Sequence, residues 1–341
     1  METIMEGIMG SLAESVARRN LIKGALAAAG VAAGAAVASS AGIAPAGISA
    51  ALADEPVAGD PVHLHRGYAA AHGDKSFAQV VVALDEAGTI VAANVDEYQF
   101  MSADTEGIVP VPNAAGMSAN FAEGVTLVSK RDNNEAYSAH MAEKAGATQL
   151  WGDSMDAIEE FACGKSPAEL EGVDTVAGCT LVDAAGYLAA IALVAQDDSL
   201  VADGRGMLEG AKLGRANFAA HGSKAFADAV TLVSEGAVVA ASIDEFQFMS
   251  AETEGLVPVP NSNGAFGENI NPDVRLGSKG VNNASYSAHM AEKAGAAQTW
   301  GDSIKAVEDS LVGQHVDAIS GATLVDARAY AYAAIKGGMN A

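Results

Sequence analysis

The stretch DEYQFMSADTEGIVPVPN at 96–113 returns as DEFQFMSAETEGLVPVPN at 244–261, and this repetition decides the fold. A second pair accompanies it: NNEAYSAHMAEKAGATQLWGDS at 133–154 becomes NNASYSAHMAEKAGAAQTWGDS at 282–303. The interval between the copies far exceeds the roughly 20–50 residues of solenoid repeats, so each copy is expected to be a domain with its own core. The boundaries fall at 54–197 and 198–341, joined through the polar stretch AQDDSLVADGRG at 195–206.

The elements follow outward from the repeat. FAQVVVALDEAGTIVAANVDEYQF and FADAVTLVSEGAVVAASIDEFQF each give two β-rich runs around a turn, the pattern of an antiparallel hairpin. A Pro-punctuated loop follows, and then a helical pattern through SYSAHMAEKAGAAQTWGDSIKAVEDSLV, broken at Gly295 or at WGD. The short run VDAI, a turn at 320–323 and a last helix ending at Lys336, with Gly337 as its stop, complete the copy. Strands and helices are segregated, not alternating. The class is therefore α+β, two tandem homologous domains, each a largely antiparallel sheet with packed helices.

Among 341 residues, 43 are acidic and 19 basic, for a formal charge of −24. That balance argues against nucleic acid or an anionic membrane surface as partner and favours a basic or neutral protein. The first 53 residues are of different composition: Arg18 and Arg19 precede Leu21, Ile22 and Lys23 and a long Ala/Gly-rich run. This is similar to a twin-arginine export signal, and the Ala51-Leu52-Ala53 pattern places cleavage after Ala53. The other reading of this run is a retained anchor, the only route by which the chain would enter a membrane. Ala and Gly drive insertion poorly, and no other apolar run approaches the roughly 18–20 residues of a spanning helix. The only cysteines, Cys163 and Cys179, lie in the first copy, so a disulfide is permitted but optional.

The remaining question is the stretch VDAISGATLVDARAYAYAAIKGG, which begins at Val316. Gly321 and Ala322 leave room for a bulky group, and Thr323 presents a hydroxyl where a helix is about to begin and free backbone N–H groups attract an anion. A phosphate ester there is one reading; plain capping by Thr323, with Asp326 three residues on, is the other. The run Asp317 to Thr323 resembles the D-x-x-[ST]-G-A-T flavinylation motif of the FMN-binding domain family, found in subunits of the sodium-pumping NADH:quinone reductase and Rnf complexes. In that family an FMN transferase joins FMN through its phosphate to the last Thr. The resemblance implies that Thr323 carries covalent FMN, that Ser320, Gly321 and Ala322 shape the turn, and that Asp317 is needed for the transfer. In the first copy Asp174, Gly178 and Thr180 match, whereas Ala177 and Cys179 depart from the motif, so loading of Thr180 is a lesser expectation.

His140 and His289 recur three residues after Tyr137 and Tyr286, a helical spacing that lets each pair line a flavin pocket or pack in a seam. Met101, Met249, Trp151 and Trp300 read as core and His72 and His221 as turn residues; HLHRG at 63–67 offers a metal pair by spacing but, near the mature N-terminus and without a counterpart in the second copy, reads as solvated. Zincin, nucleophile-elbow, haem-attachment and cluster motifs are missing from the sequence, and no reductase domain adjoins the repeats. The expected function is an exported electron carrier between a membrane donor and an extracytoplasmic acceptor, in the cell envelope or outside it, more than a stand-alone enzyme. The alternative is a cofactor-free secreted tandem module that binds a cell-wall or protein ligand.

Overall fold

The computed structural model describes residues 57–314 and 327–341; the stretch 1–53 expected as an export signal and the segment carrying Asp317, Ser320, Gly321, Ala322 and Thr323 lie outside the described residues. The first copy supplies strands β1 (Asp60–Ala69), β2 (Ser76–Asp85), β3 (Ile90–Ser102) and β4 (Val125–Ser129), with the short helix α1 (Ala114–Met117) between the last two. Helices α2 (Asn134–Ala145), α3 (Trp151–Ala162) and α4 (Ala184–Val194) follow. The second copy repeats the order with β6 (Lys212–Phe218), β7 (Ala225–Ser234), β8 (Ala237–Ser250), β9 (Val274–Ser278), α5 (Asn283–Ala294), α6 (Trp300–Leu311) and α7 (Ala327–Gly338). Both sheets are antiparallel meanders, and the class is α+β.

The strand β5 (Val201–Gly206) comes from the stretch expected as a linker. It joins the first sheet beside β1, with Asp60 opposite Gly206 and His65 opposite Val201, giving the order β4-β3-β2-β1-β5 against β6-β7-β8-β9. The polar look of AQDDSLVADGRG misled because an edge strand carries charge on its open side; Ala202 is nonetheless buried. HLHRG is likewise no solvated tail. It lies in β1, where Arg66 is buried and His65 nearly so.

Alternation along the strands explains the layers. In β2, Phe77, Val81 and Ala83 face the second sheet while Ala78, Val80, Val82 and Leu84 face α3 and α4. With both faces covered, the strand reads as a continuous apolar run. The inner faces meet through Val62, Leu64 and Val81 against Val230, Leu232 and Val239, and through an aromatic seam of Phe77, Tyr98, Phe226, Phe246 and Phe266. The expected separate cores are therefore only the outer halves; the copies share the middle of one compact unit, 56–341.

The helix break falls at Gly295, as at its counterpart Gly146: both adopt a left-handed conformation, φ 64° and 68°, and accept the chain after α5 and α2. Gly337 does not stop α7, which runs to Gly338. Its role is close approach, since a Cβ on the facing Gly214 would sit 2.0 Å from the Gly337 carbonyl oxygen.

Each outer helix is also pinned to its sheet by a carboxylate. Glu159 Oε1 accepts the Val95 N–H at 2.6 Å, and Glu308 Oε1 accepts that of Ile243 at 2.7 Å. Burial pushes the Glu308 carboxyl from 4.5 up to about 8, against the Ile243 N–H and the charges of Arg66 and Lys305. Between those values the folded chain holds a proton that the unfolded chain has lost, so stability falls as pH rises through the window. Glu308→Gln keeps the acceptor and loses the titration. It should exceed wild type by roughly 2–4 kcal/mol at about pH 9 and match it near pH 4, read from urea midpoints.

Candidate functional site

The described counterpart of the SGAT turn is 177–180 in the first copy. Val176 is buried and anchors the loop, while Asp174, Gly178 and Thr180 are exposed. Gly178 takes φ 86° and its carbonyl accepts from Gln149 Nε2 at 2.8 Å; the Thr180 N–H reaches Ser154 Oγ at 3.4 Å. Thr180 does not cap the following helix. The N-cap of α4 is Asp183, three residues on, and its carboxylate leaves the helix uncapped and turns instead to His72 Nε2 at 3.2 Å. Cys179 packs half-buried against the first core, so its extra bulk is absorbed inward, and Cys163 and Cys179 are both free.

Thr180 stands at the rim of a cleft of about 280 Å³. That is close to the lower bound of the roughly 300–1,000 Å³ typical of small-molecule sites, room for a planar ring system. Its walls are apolar and aromatic: Tyr137 and Met141 from α2, Trp151 from α3, Tyr187 from α4, and Val182, which is 94% exposed at the mouth. The Trp151 indole N–H lies against the Tyr187 hydroxyl but falls short of hydrogen-bond geometry with any described group.

The floor is ionic. Lys130 pairs with Glu97, both fully buried, and the Lys130 ammonium sits 4.7 Å from the Tyr137 ring centroid and 5.7 Å from that of Trp151. Glu97 also accepts from Tyr187 Oη at 2.7 Å and Ser76 Oγ at 2.9 Å. Burial works to lower the Lys130 pKa, but Glu97 holds it above the usual range; burial and the Glu97 charge push the Tyr187 phenol well up. The cleft thus presents a charge-balanced Lys130–Glu97 pair and a protonated phenol beneath aromatic walls.

The same set recurs in the second copy. Lys279 pairs with Glu245, Tyr330 Oη donates to Glu245 at 2.8 Å, the Lys279 ammonium lies 4.6 Å from the Tyr286 ring, and His221 Nδ1 stands 4.0 Å from Glu245. Trp300 takes the place of Trp151. The Lys–Glu–Tyr floor and the Tyr and Trp of the wall are therefore kept in the second copy, whereas Ser76 is replaced by Ala225, which leaves Glu245 Oε1 without a described hydrogen-bond partner.

The histidines are placed otherwise than expected. His140 is half-buried and does not line the cleft, and His289 is exposed. On a helix turning about 100° per residue, Met141 lies nearer than His140 to the direction of Tyr137, so the fourth residue takes the wall position, not the third. His72, read as a turn residue, does line the cleft. The Lys–Glu–Tyr floor was missed altogether. Its signal was the repeated acidic pair: in a strand neighbours point oppositely, so Asp96 faces the second sheet and Glu97 the cleft.

Among the described residues no group of three or more His, Cys, Asp or Glu side chains is placed to hold a metal ion, and no helix is long and apolar enough to cross a membrane. Neither protein-family models, nor curated proteins, nor solved structures match the chain.

Proposed function

We propose that the chain is an exported carrier of covalent FMN that passes electrons between a membrane donor and an extracytoplasmic acceptor. The observation that supports this most is the aromatic-walled cleft opening directly against Thr180, whose Lys, Glu, Tyr and Trp side chains recur in the second copy, the one with the full motif in its sequence. An FMN transferase joins the FMN phosphate to the threonine hydroxyl, as the motif's resemblance implies, and the flavin supplies the redox chemistry. The chain's own residues do the rest. Tyr137, Trp151 and Tyr187, and their counterparts Tyr286, Trp300 and Tyr330, offer ring faces and exclude water. Lys130 and Lys279, paired with Glu97 and Glu245, place a polar ion-pair floor below. The uncapped first turn of α4 offers N–H groups to a phosphate. With a charge of −24 the surface suits a less negative redox partner, with docking that weakens as salt rises.

Co-expression with an FMN transferase tests this. The purified protein should be yellow, keep its flavin through denaturation and gain the mass of one or two FMN less water. Thr323→Val should remove the adduct from the second copy and Thr180→Val from the first, read by intact mass. Colourless wild-type protein with no added mass would instead favour the cofactor-free binding module.

A further inference from the structure

The copies diverge at one point of the repeated sequence with a structural consequence. The first reads SKRDNN at 129–134 and the second SKGVNN at 278–283, so Gly280 and Val281 stand for Arg131 and Asp132. In the first copy the Arg131 guanidinium fills the angle between β3 and α3. Its Nε donates to the Val95 carbonyl at 2.8 Å, Nη1 to Asp156 Oδ1 at 2.7 Å and Nη2 to Glu159 Oε1 at 2.5 Å, and its Cζ lies 5.9 Å from the Trp151 ring.

The second copy keeps much of the receiving half of this arrangement without the guanidinium. Glu308 stands where Glu159 does and holds the same strand N–H, Trp300 stands where Trp151 does, and Ile243 replaces Val95. Beside Gly280 the angle opens as a cavity of about 410 Å³ lined by Ile243, Asp244, Trp300, Lys305 and Glu308. Among the described residues Glu308 has no cation within ion-pair distance. Lys305, which stands for Asp156, is drawn to Asp309 at 3.1 Å and Asp203 at 3.8 Å. The buried Arg66 at the back of the cavity is committed to Asp228 and Ser242. The Trp300 indole N–H lies against the Tyr330 hydroxyl, short of hydrogen-bond geometry, so it is the face of the ring that lines the cavity.

We infer that this cavity is a binding site for a guanidinium-bearing cation, held by Glu308, the Ile243 carbonyl and the Trp300 face as Arg131 is held in the first copy. The planar fork of a guanidinium suits such a set where a compact ammonium does not. The charged groups around Glu308 are Arg66 on β1, Asp244 on β8, and Lys305 and Asp309 on α6, with Asp203 on β5 taking up part of the Lys305 charge. Glu308 holds its proton up to about pH 8 in the free protein. The incoming cation therefore displaces that proton to solvent, one for one, and binding strengthens as pH rises toward that value before levelling.

The two tryptophans give a direct readout. In the full chain the Trp300 indole 1H–15N resonance should shift saturably with methylguanidinium while that of Trp151 stays still. Affinity should rise about tenfold or more between about pH 6 and pH 8.5, and methylammonium should bind at least about tenfold more weakly. Glu308→Gln, with an unmoved Trp151 resonance as proof of its fold, should lose the saturable shift. Arg131→Ala should open a second site reported by Trp151. An acetyl-Ala-Arg-Ala-amide peptide that binds more tightly than methylguanidinium assigns the group to a partner's arginine; one that binds no better assigns it to a free small cation. A Trp300 shift that does not saturate, or one retained in Glu308→Gln, overturns the inference.

Discussion

Asp228→Ala is expected to destabilise the protein by roughly 3–5 kcal/mol, the usual consequence of stranding a buried charge. Two guanidinium groups meet on this one carboxylate: Arg66 Nη1 reaches Oδ1 at 2.7 Å and Arg215 Nε reaches Oδ2 at 2.6 Å, with all three side chains buried between the sheets. Tyr98 Oη donates to Oδ2 as well, at 3.1 Å. Arg66 would keep Ser242 and Arg215 would keep Asp96, but each would lose a charged partner in a place water does not reach. A lower urea midpoint with an unchanged slope is the expected result. The first copy has Gln79 at the matching position, buried and without a described hydrogen-bond partner, so no second carboxylate is there to compensate. Burial acts to raise the Asp228 pKa, yet Arg215 and Arg66 outweigh it and hold the carboxyl below 3.8. Its contribution is thus present above about pH 4 and lost as pH falls through the depressed folded value, so wild type and Asp228→Asn should converge only in strong acid.

Phe246→Ala should cost a comparable amount, roughly 3–5 kcal/mol, by leaving a cavity where the two copies meet. The ring is fully buried, with centroids of Phe226, Tyr68, Tyr98 and Phe77 at 5.0, 5.3, 5.5 and 5.6 Å. Because residues of both copies form this seam, calorimetry should show one cooperative transition for wild type and one, at lower temperature, for the variant. Two separate transitions would mean that each copy is stable alone.

The hairpins, the helix break at Gly295 and the α+β class were legible because each rests on local pattern, and duplication showed the pattern twice. What escaped was whatever depends on distant partners. The strand β1 mixes His and Arg with apolar residues, and nothing near Arg66 in sequence reveals that its counter-charge is Asp228 on another strand. Nothing local in the sequence marks the adjacent acids Asp96 and Glu97 as buried, yet both are, one against Arg215 and the other against Lys130. At the candidate site the motif threonine was readable, but the cleft beside Thr180 draws its walls from three helices that only the fold brings together. The Tyr–His spacing was read one residue short of the helical turn that places Met141.

The position of β5 also fixes an order of events during translation. The strand that finishes the first sheet spans Val201–Gly206, after the whole of the first copy has been made, and it pairs with the first half of β1. A nascent chain must therefore clear the ribosome past these residues before its opening strand gains a second neighbour. Until the later half follows, the aromatic surface of the earlier one stays bare and open to aggregation, which makes the growing polypeptide a natural client for chaperones.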